Sequence, residues 1–184
     1  MEHTRIERDV LGEVELPENA MYGINTARAL ENFPLGHKRT AMPLIYAMVT
    51  VKKAAALTYA RLGVREDGIY QAIAAACDAI LAGQYDDAFV TEALQGGAGT
   101  STNMNVNEVV ANRAKQILQA QGKDLNVHPN DHVNHSQSSN DTFPTGLHMV
   151  GALLIEQKLF PAMEALYQAL RAKQEAFKDI VKIG

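Results

Sequence analysis

Apolar positions first recur in a short extended stretch, Ile6 to Leu16, where Gly12 separates "RDVL" from "EVEL". That pattern predicts a small β-hairpin. Pro17 and Pro34 then bracket "ENAMYGINTARALENF", read as two short helical or irregular turns. A helical period begins near Thr40, with Pro43 in an early position that needs no amide donor. Met48, Val51, Ala55 and Tyr59 follow at threes and fours, and Gly63 is the stop. The Ala-rich segment Asp67 to Leu81 predicts a second helix ended by Gly83, and Asn103 to Gln121 a third ended by Gly122.

The polar, broken run "LNVHPNDHVNHSQSS" is expected to be a long loop, and an ordered loop of that length is usually functional. Asn140 or Asp141 is the expected cap of the next helix, with Pro144 in its first turn. Leu147, Val150, Leu154, Ile155, Leu159, Ala162, Leu166 and Leu170 carry its apolar stripe. Continued to Lys178, this helix would be on the order of 50 Å long, with a kink expected at Pro161. A helix of that length needs the company of a bundle. The expected fold is therefore mainly α. Residues 1–140 form a mostly helical domain with a short hairpin, and residues 141–184 begin a central long-helix bundle. The chain reads as a fragment of that architecture.

Composition narrows the function classes. The 184 residues are 47% hydrophobic, enough for a substantial core. A formal net charge of -4 gives no electrostatic reason to expect nucleic acid. The lone Cys77 excludes an intrachain disulfide, and no activating feature surrounds it. The charged start "MEHTRIERDV" and the lack of a long uncharged apolar run predict a soluble, cytoplasmic protein without membrane contact.

Two polar segments are left as candidate chemistry. "GGAGTSTN" places glycines and hydroxyl or amide side chains before a helix, an arrangement that serves equally as a cap or as an anion cradle. It is not a P-loop, for no GK[ST] follows, and its spacing is not that of a dinucleotide fingerprint. "SQSSNDTFPT" repeats the arrangement before the next helix. Two such segments favour a small dianion, since carboxylate oxygens accept several hydrogen bonds each. His128, Asp131, His132 and His135 lie close in sequence, but Pro129 breaks any regular spacing and no cysteine supports a zinc pattern. No metal or other cofactor is expected.

The long stretches "RIERDVLGEVELPENAMYGINTARALENF", "GGAGTSTNMNVNEVVANRA" and "HPNDHVNHSQSSNDTFPTG" resemble the aspartase/fumarase superfamily. The resemblance is strongest to its aspartate ammonia-lyases and next to its class II fumarases. It implies an N-terminal domain, a central long-helix domain and a homotetramer with composite sites. It also implies reversible elimination from a succinyl skeleton through an aci-carboxylate intermediate, with L-aspartate and fumarate as substrate and product. By position, Thr100, Ser101 and Asn103 would face one carboxylate or the leaving group. Ser138, Ser139 and Asn140 would hold the other carboxylate. His128, Asn130 and Asp131 would form an accessory dicarboxylate site, with His132 a non-catalytic neighbour. The family's base is a serine expected beyond Gly184, so no catalytic residue is expected in this chain, and it should be inactive alone. Ala98, "MYGINTARA" and His132 favour the ammonia-lyase, whereas "HPND" and "QSSND" favour fumarase. A non-catalytic helical assembly fragment is the remaining alternative.

Overall fold

The structure, a computed structural model, describes residues 3–36, 38–65, 67–181 and 183–184. Its contacts divide the chain into two units, Met1–Leu147 and His148–Gly184.

In the first unit, β1 (Thr4–Asp9) and β2 (Gly12–Pro17) pair antiparallel, with Asp9 opposite Gly12. The two-residue turn needs the positive φ of Gly12, 123°. Arg28 binds both carboxylate oxygens of Asp9 at 2.7 Å. Arg5 donates to the backbone carbonyls of Pro17, Glu18, Ala20 and Tyr22, so one guanidinium shapes the exit from the hairpin.

That exit leads into α1 (Ile24–Asn32), followed by α2 (Met42–Arg61), α3 (Ile69–Leu81) and α4 (Thr100–Ala120). The core lies among α2, α3 and α4. Ile45, Met48 and Val49 of α2, Ile69, Ile73, Cys77 and Ile80 of α3, and Val106, Val109, Val110 and Leu118 of α4 are all buried. The buried stripe of α2 differs from the expected one. It runs through Met48, Lys52 and Ala56, while Val51, Ala55 and Tyr59 are only half-buried. A purely apolar reading places the stripe one residue off, because it cannot put a lysine in the core.

α4 begins at Thr100 rather than Asn103. Gly99 takes a left-handed conformation, φ 79°, directly before it, so the helix starts as soon as the glycines end. The expected loop contains an ordered five-residue π turn, Pro129–Val133, anchored by buried Val127 and Val133. α5 (Ser139–Leu154) starts earlier than the Asn140 or Asp141 cap implied, since the Ser138 hydroxyl accepts from the Asn140 amide at 3.2 Å.

In the second unit, a π turn over Ile155–Leu159 precedes α6 (Phe160–Ala176), with Pro161 in the first turn of α6. The wider turn accommodates a proline that a continuous α-helix would reject. No described residue of this unit is buried, and Leu159, Met163, Leu166 and Leu170 are exposed. No helix among the described residues is long and apolar enough to cross a membrane.

Candidate functional site

The start of α4 is assembled by side chains from the segment before it. Residues 38–40 run beside 91–93, with Thr40 N donating to Thr91 O at 3.0 Å and Ala93 N to Lys38 O at 2.7 Å. Gln95 then caps α4. Its carbonyl accepts the Thr102 amide at 2.9 Å, and its amide donates to the Thr102 hydroxyl at 2.6 Å. Thr102 is buried and also meets the hydroxyl of Thr40 at 3.0 Å. Thr102, Asn105 and Asn107 therefore belong to the scaffold, whereas Thr100 is exposed and Ser101 half-buried. Neither Thr100 nor Ser101 spends its hydroxyl on another described residue. Both line a small cleft with Asn25, Arg28 and Asn32 of α1.

The first turn of α5 sits directly against this end of α4. A Cβ at Gly99 would lie 2.2 Å from Cγ and Cδ2 of Phe143, far inside van der Waals contact, so only glycine permits the approach. One side-chain bond joins the two polar segments: Asn103 Nδ2 donates to Ser139 Oγ at 2.8 Å. Asn103 is fully buried, and its other amide hydrogen goes to Asn134 Oδ1 at 3.1 Å. Both of its donors are committed inside the protein, leaving its unpaired Oδ1 as an acceptor. Ser138 and Asn140 are exposed and Ser139 is half-buried.

Ser138 lines a second cleft with Asn130, Asp131, Asn134, His135, Gln137 and Asp141. Among the described residues the cleft is rimmed by two carboxylates and by no lysine or arginine. Thr100 and Ser101 open onto a different cleft from Ser138. Of the three accessory-site residues, Asn130 and Asp131 share the cleft of Ser138, while His128 lines a larger one beside the hairpin and α1.

His128 has a local task. Its Nδ1 accepts the amides of Asn130 at 3.3 Å and Asp131 at 3.1 Å, which requires an unprotonated Nδ1. The 3.3 Å approach of the Asp131 carboxylate is consequently not an ion pair while that cap holds. His132 accepts the His128 amide through Nδ1 at 2.8 Å and meets Arg65 at 3.2 Å through Nε2. Burial, and then the nearby Arg65 charge, hold its pKa below the usual histidine range. His135 stacks on Tyr59, 4.7 Å between ring centroids, and bonds Tyr70 Oη at 2.6 Å. The histidines of this loop thus hold its shape.

Two further groups escaped the sequence reading. Lys52 of α2 is fully buried and donates to Asn134 Oδ1 at 2.7 Å. Burial pushes its ammonium down to about 7. Glu108 of α4, also buried, accepts from Gly23, Asn25 and Thr26 at the start of α1. The visible signal for Lys52 was its i, i+4 spacing between Met48 and Ala56; Glu108 likewise interrupts the apolar run of α4. Cys77 has its thiol pushed up to about 12 by burial, which leaves it unreactive.

Comparison with known proteins identifies the family. A family model described as a lyase matches residues 12–184. A "Fumarate hydratase class II" of Bacillus subtilis is 47% identical over 180 residues, covering 98% of this chain and 39% of the relative. One from Thermus thermophilus is 50% identical over 185 residues, with the same two coverages. The solved class II fumarase of Schistosoma mansoni superposes with a TM-score of 0.92 at 37% identity, covering 99% of this chain and 39% of that one. A Brucella melitensis structure described as fumarate lyase:delta crystallin gives a TM-score of 0.89 at 43% identity, with coverages of 99% and 43%. The chain spans about two-fifths of the length of these curated relatives. With a family match over nearly its whole length, the chain belongs to the lyase family of the aspartase/fumarase superfamily.

Proposed function

We propose that this chain supplies substrate-binding segments to a class II fumarase-type enzyme, which interconverts malate with fumarate and water. The observation that carries the reading is 47–50% identity across the chain to relatives named fumarate hydratase class II. This identity favours the fumarase alternative over the ammonia-lyase preference, which rests on a few sequence markers. Asn25 and Thr26 of "MYGINTARA" bind Glu108, and His132 is occupied by Arg65 and the His128 amide. Those bonds give Asn25, Thr26 and His132 a part in the scaffold that does not depend on the leaving group.

In the proposed reaction a base takes the proton from the carbon next to the one bearing the hydroxyl. Charge passes onto the adjacent carboxylate, and hydroxide leaves with a proton as water. Ser138, Ser139 and Asn140 donate to one carboxylate at the start of α5. Thr100 and Ser101 donate to the other at the start of α4. Preorganised neutral donors are effective there because charge grows on those oxygens during the reaction. Asn103 acts behind them, holding Ser139. No lysine or arginine among the described residues lines the acid-rimmed cleft, and we assign the cation and the base that takes the carbon-bound proton to the part of the enzyme that the relatives carry beyond this chain. The exposed apolar residues of α6 suit packing into the homotetramer that the family resemblance implies.

The test is a steady-state assay of the full-length protein with L-malate and with L-aspartate, following fumarate by absorbance. Turnover of malate with none of aspartate is the expected result; preferential turnover of aspartate restores the ammonia-lyase reading.

A further inference from the structure

The hydrogen bonds around Asn134 have a definite polarity that can be traced atom by atom. The backbone carbonyl of Gln137 can only accept, so Asn134 must present Nδ2 to it, at 2.8 Å. That turns Asn134 Oδ1 inward, where Lys52 Nζ donates to it at 2.7 Å. Asn103 and Asn107 meet the same oxygen at 3.1 and 3.2 Å and must also present Nδ2. The second Asn103 hydrogen then goes to Ser139 Oγ. Because Ser139 accepts there, its own hydroxyl hydrogen is left for another acceptor.

This arrangement is costly. The Oδ1 atoms of Asn103 and Asn107 are both buried without a hydrogen-bond partner among the described residues. Three donors nevertheless converge on the single Asn134 oxygen. Two groups enforce it together: the Gln137 carbonyl takes Asn134 Nδ2, and the buried Lys52 donates to Asn134 Oδ1. No ion pair joins Lys52 to a carboxylate among the described residues, and the Asn134 oxygen is its one hydrogen-bond partner there.

We propose that Lys52 is a positioning residue for the dicarboxylate site: through Asn134 and Asn103 it orients Ser139 so that the serine hydroxyl donates to a substrate carboxylate. Lys52 touches no substrate and lines none of the clefts described above. Its effect passes along four side chains from α2, the 125–138 segment, α4 and α5. The proposal rests on the dicarboxylate reading of the site.

The test is a double-mutant cycle on the full-length protein, with succinate binding measured by calorimetry. Wild type, Lys52→Met, Ser139→Ala and the double variant are compared, with thermal melting recorded for each. Lys52→Met should weaken succinate by about tenfold, the loss of one charge-assisted hydrogen bond. The double variant should bind no more weakly than Ser139→Ala alone, because the lysine acts only through that hydroxyl. Lys52→Arg should recover much of the affinity. A merely structural lysine would lower the melting temperature equally in both backgrounds. Additive losses, or an unchanged affinity in Lys52→Met, overturn the proposal. Where Lys52→Met does not fold, Lys52→Gln, which keeps a donor and drops the charge, gives the same comparison. Failure of wild type to bind succinate would instead overturn the dicarboxylate reading itself.

Discussion

The carboxylate of Glu108 lies 2.6 Å from the hydroxyl of Thr26, and both residues are buried. The same carboxylate takes the amides of Gly23 and Asn25 at 2.8 Å and of Thr26 at 3.1 Å, together with Asn25 Nδ2 at 3.0 Å. A side chain of α4 therefore caps α1 and collects donors at the positive end of its dipole. Glu108→Ala would leave several donors buried and unpaired, at a cost of about 3–5 kcal/mol. Denaturant unfolding should register that loss, with Glu108→Gln losing less.

Gly99 is required twice over, by its φ of 79° and by the Phe143 ring beside it. Gly99→Ala should separate the starts of α4 and α5 and lower stability, with substrate affinity falling in parallel. Phe143→Ala introduced on that background removes the clash but leaves the backbone strain, roughly 1–2 kcal/mol. A melting temperature that recovers only partly in the double variant is the expected outcome.

How far the sequence could be read follows from these two sites. Periodicity located the hairpin and the main helices because most buried positions are apolar. It misplaced the α2 stripe at Lys52 and did not identify the α1 cap at Glu108, since a buried charge looks like a solvated one until its partners are known. The start of α4 moved for a related reason. Thr100 to Thr102 look like loop polarity, but Gln95 caps them into the helix. The pairing of the two polar segments was legible, whereas the bond that joins them, Asn103 to Ser139, needed the fold.

Asn140 is exposed and spends no side-chain hydrogen bond on another described residue. Asn140→Ala should change stability by no more than about 0.5 kcal/mol. In the full-length protein it should lower kcat/KM by roughly 10²–10³, the effect of removing one preorganised donor to a developing charge. Melting curves and malate kinetics on the same preparation separate the two effects.

The buried Lys52 makes stability depend on pH in a specific window. Its folded-state value, about 7, lies below the ordinary 10.5, so the unfolded chain binds more protons between those values. Stability should therefore rise with pH above about 7, by up to about 1.4 kcal/mol per unit. The adjacent Cys77 works in the opposite direction: its thiol is raised from 9.0 to about 12, so the unfolded thiol ionises first and stability is lost as pH climbs past 9. Denaturant midpoints should show the lysine effect between about pH 7 and 9, near cancellation from there to about 10.5, and a net loss of stability at higher pH as the thiol effect continues alone. Lys52→Met should abolish the rise.

The central claim is that the starts of α4 and α5 form one dicarboxylate site. The most direct measurement is a crystal structure of the full-length protein with succinate bound. The account predicts one carboxylate within hydrogen-bonding distance of Ser139 Oγ and the Asn140 side chain, and the other facing Thr100 and Ser101. Succinate bound away from these residues, with the Ser139 hydroxyl unengaged, would contradict it.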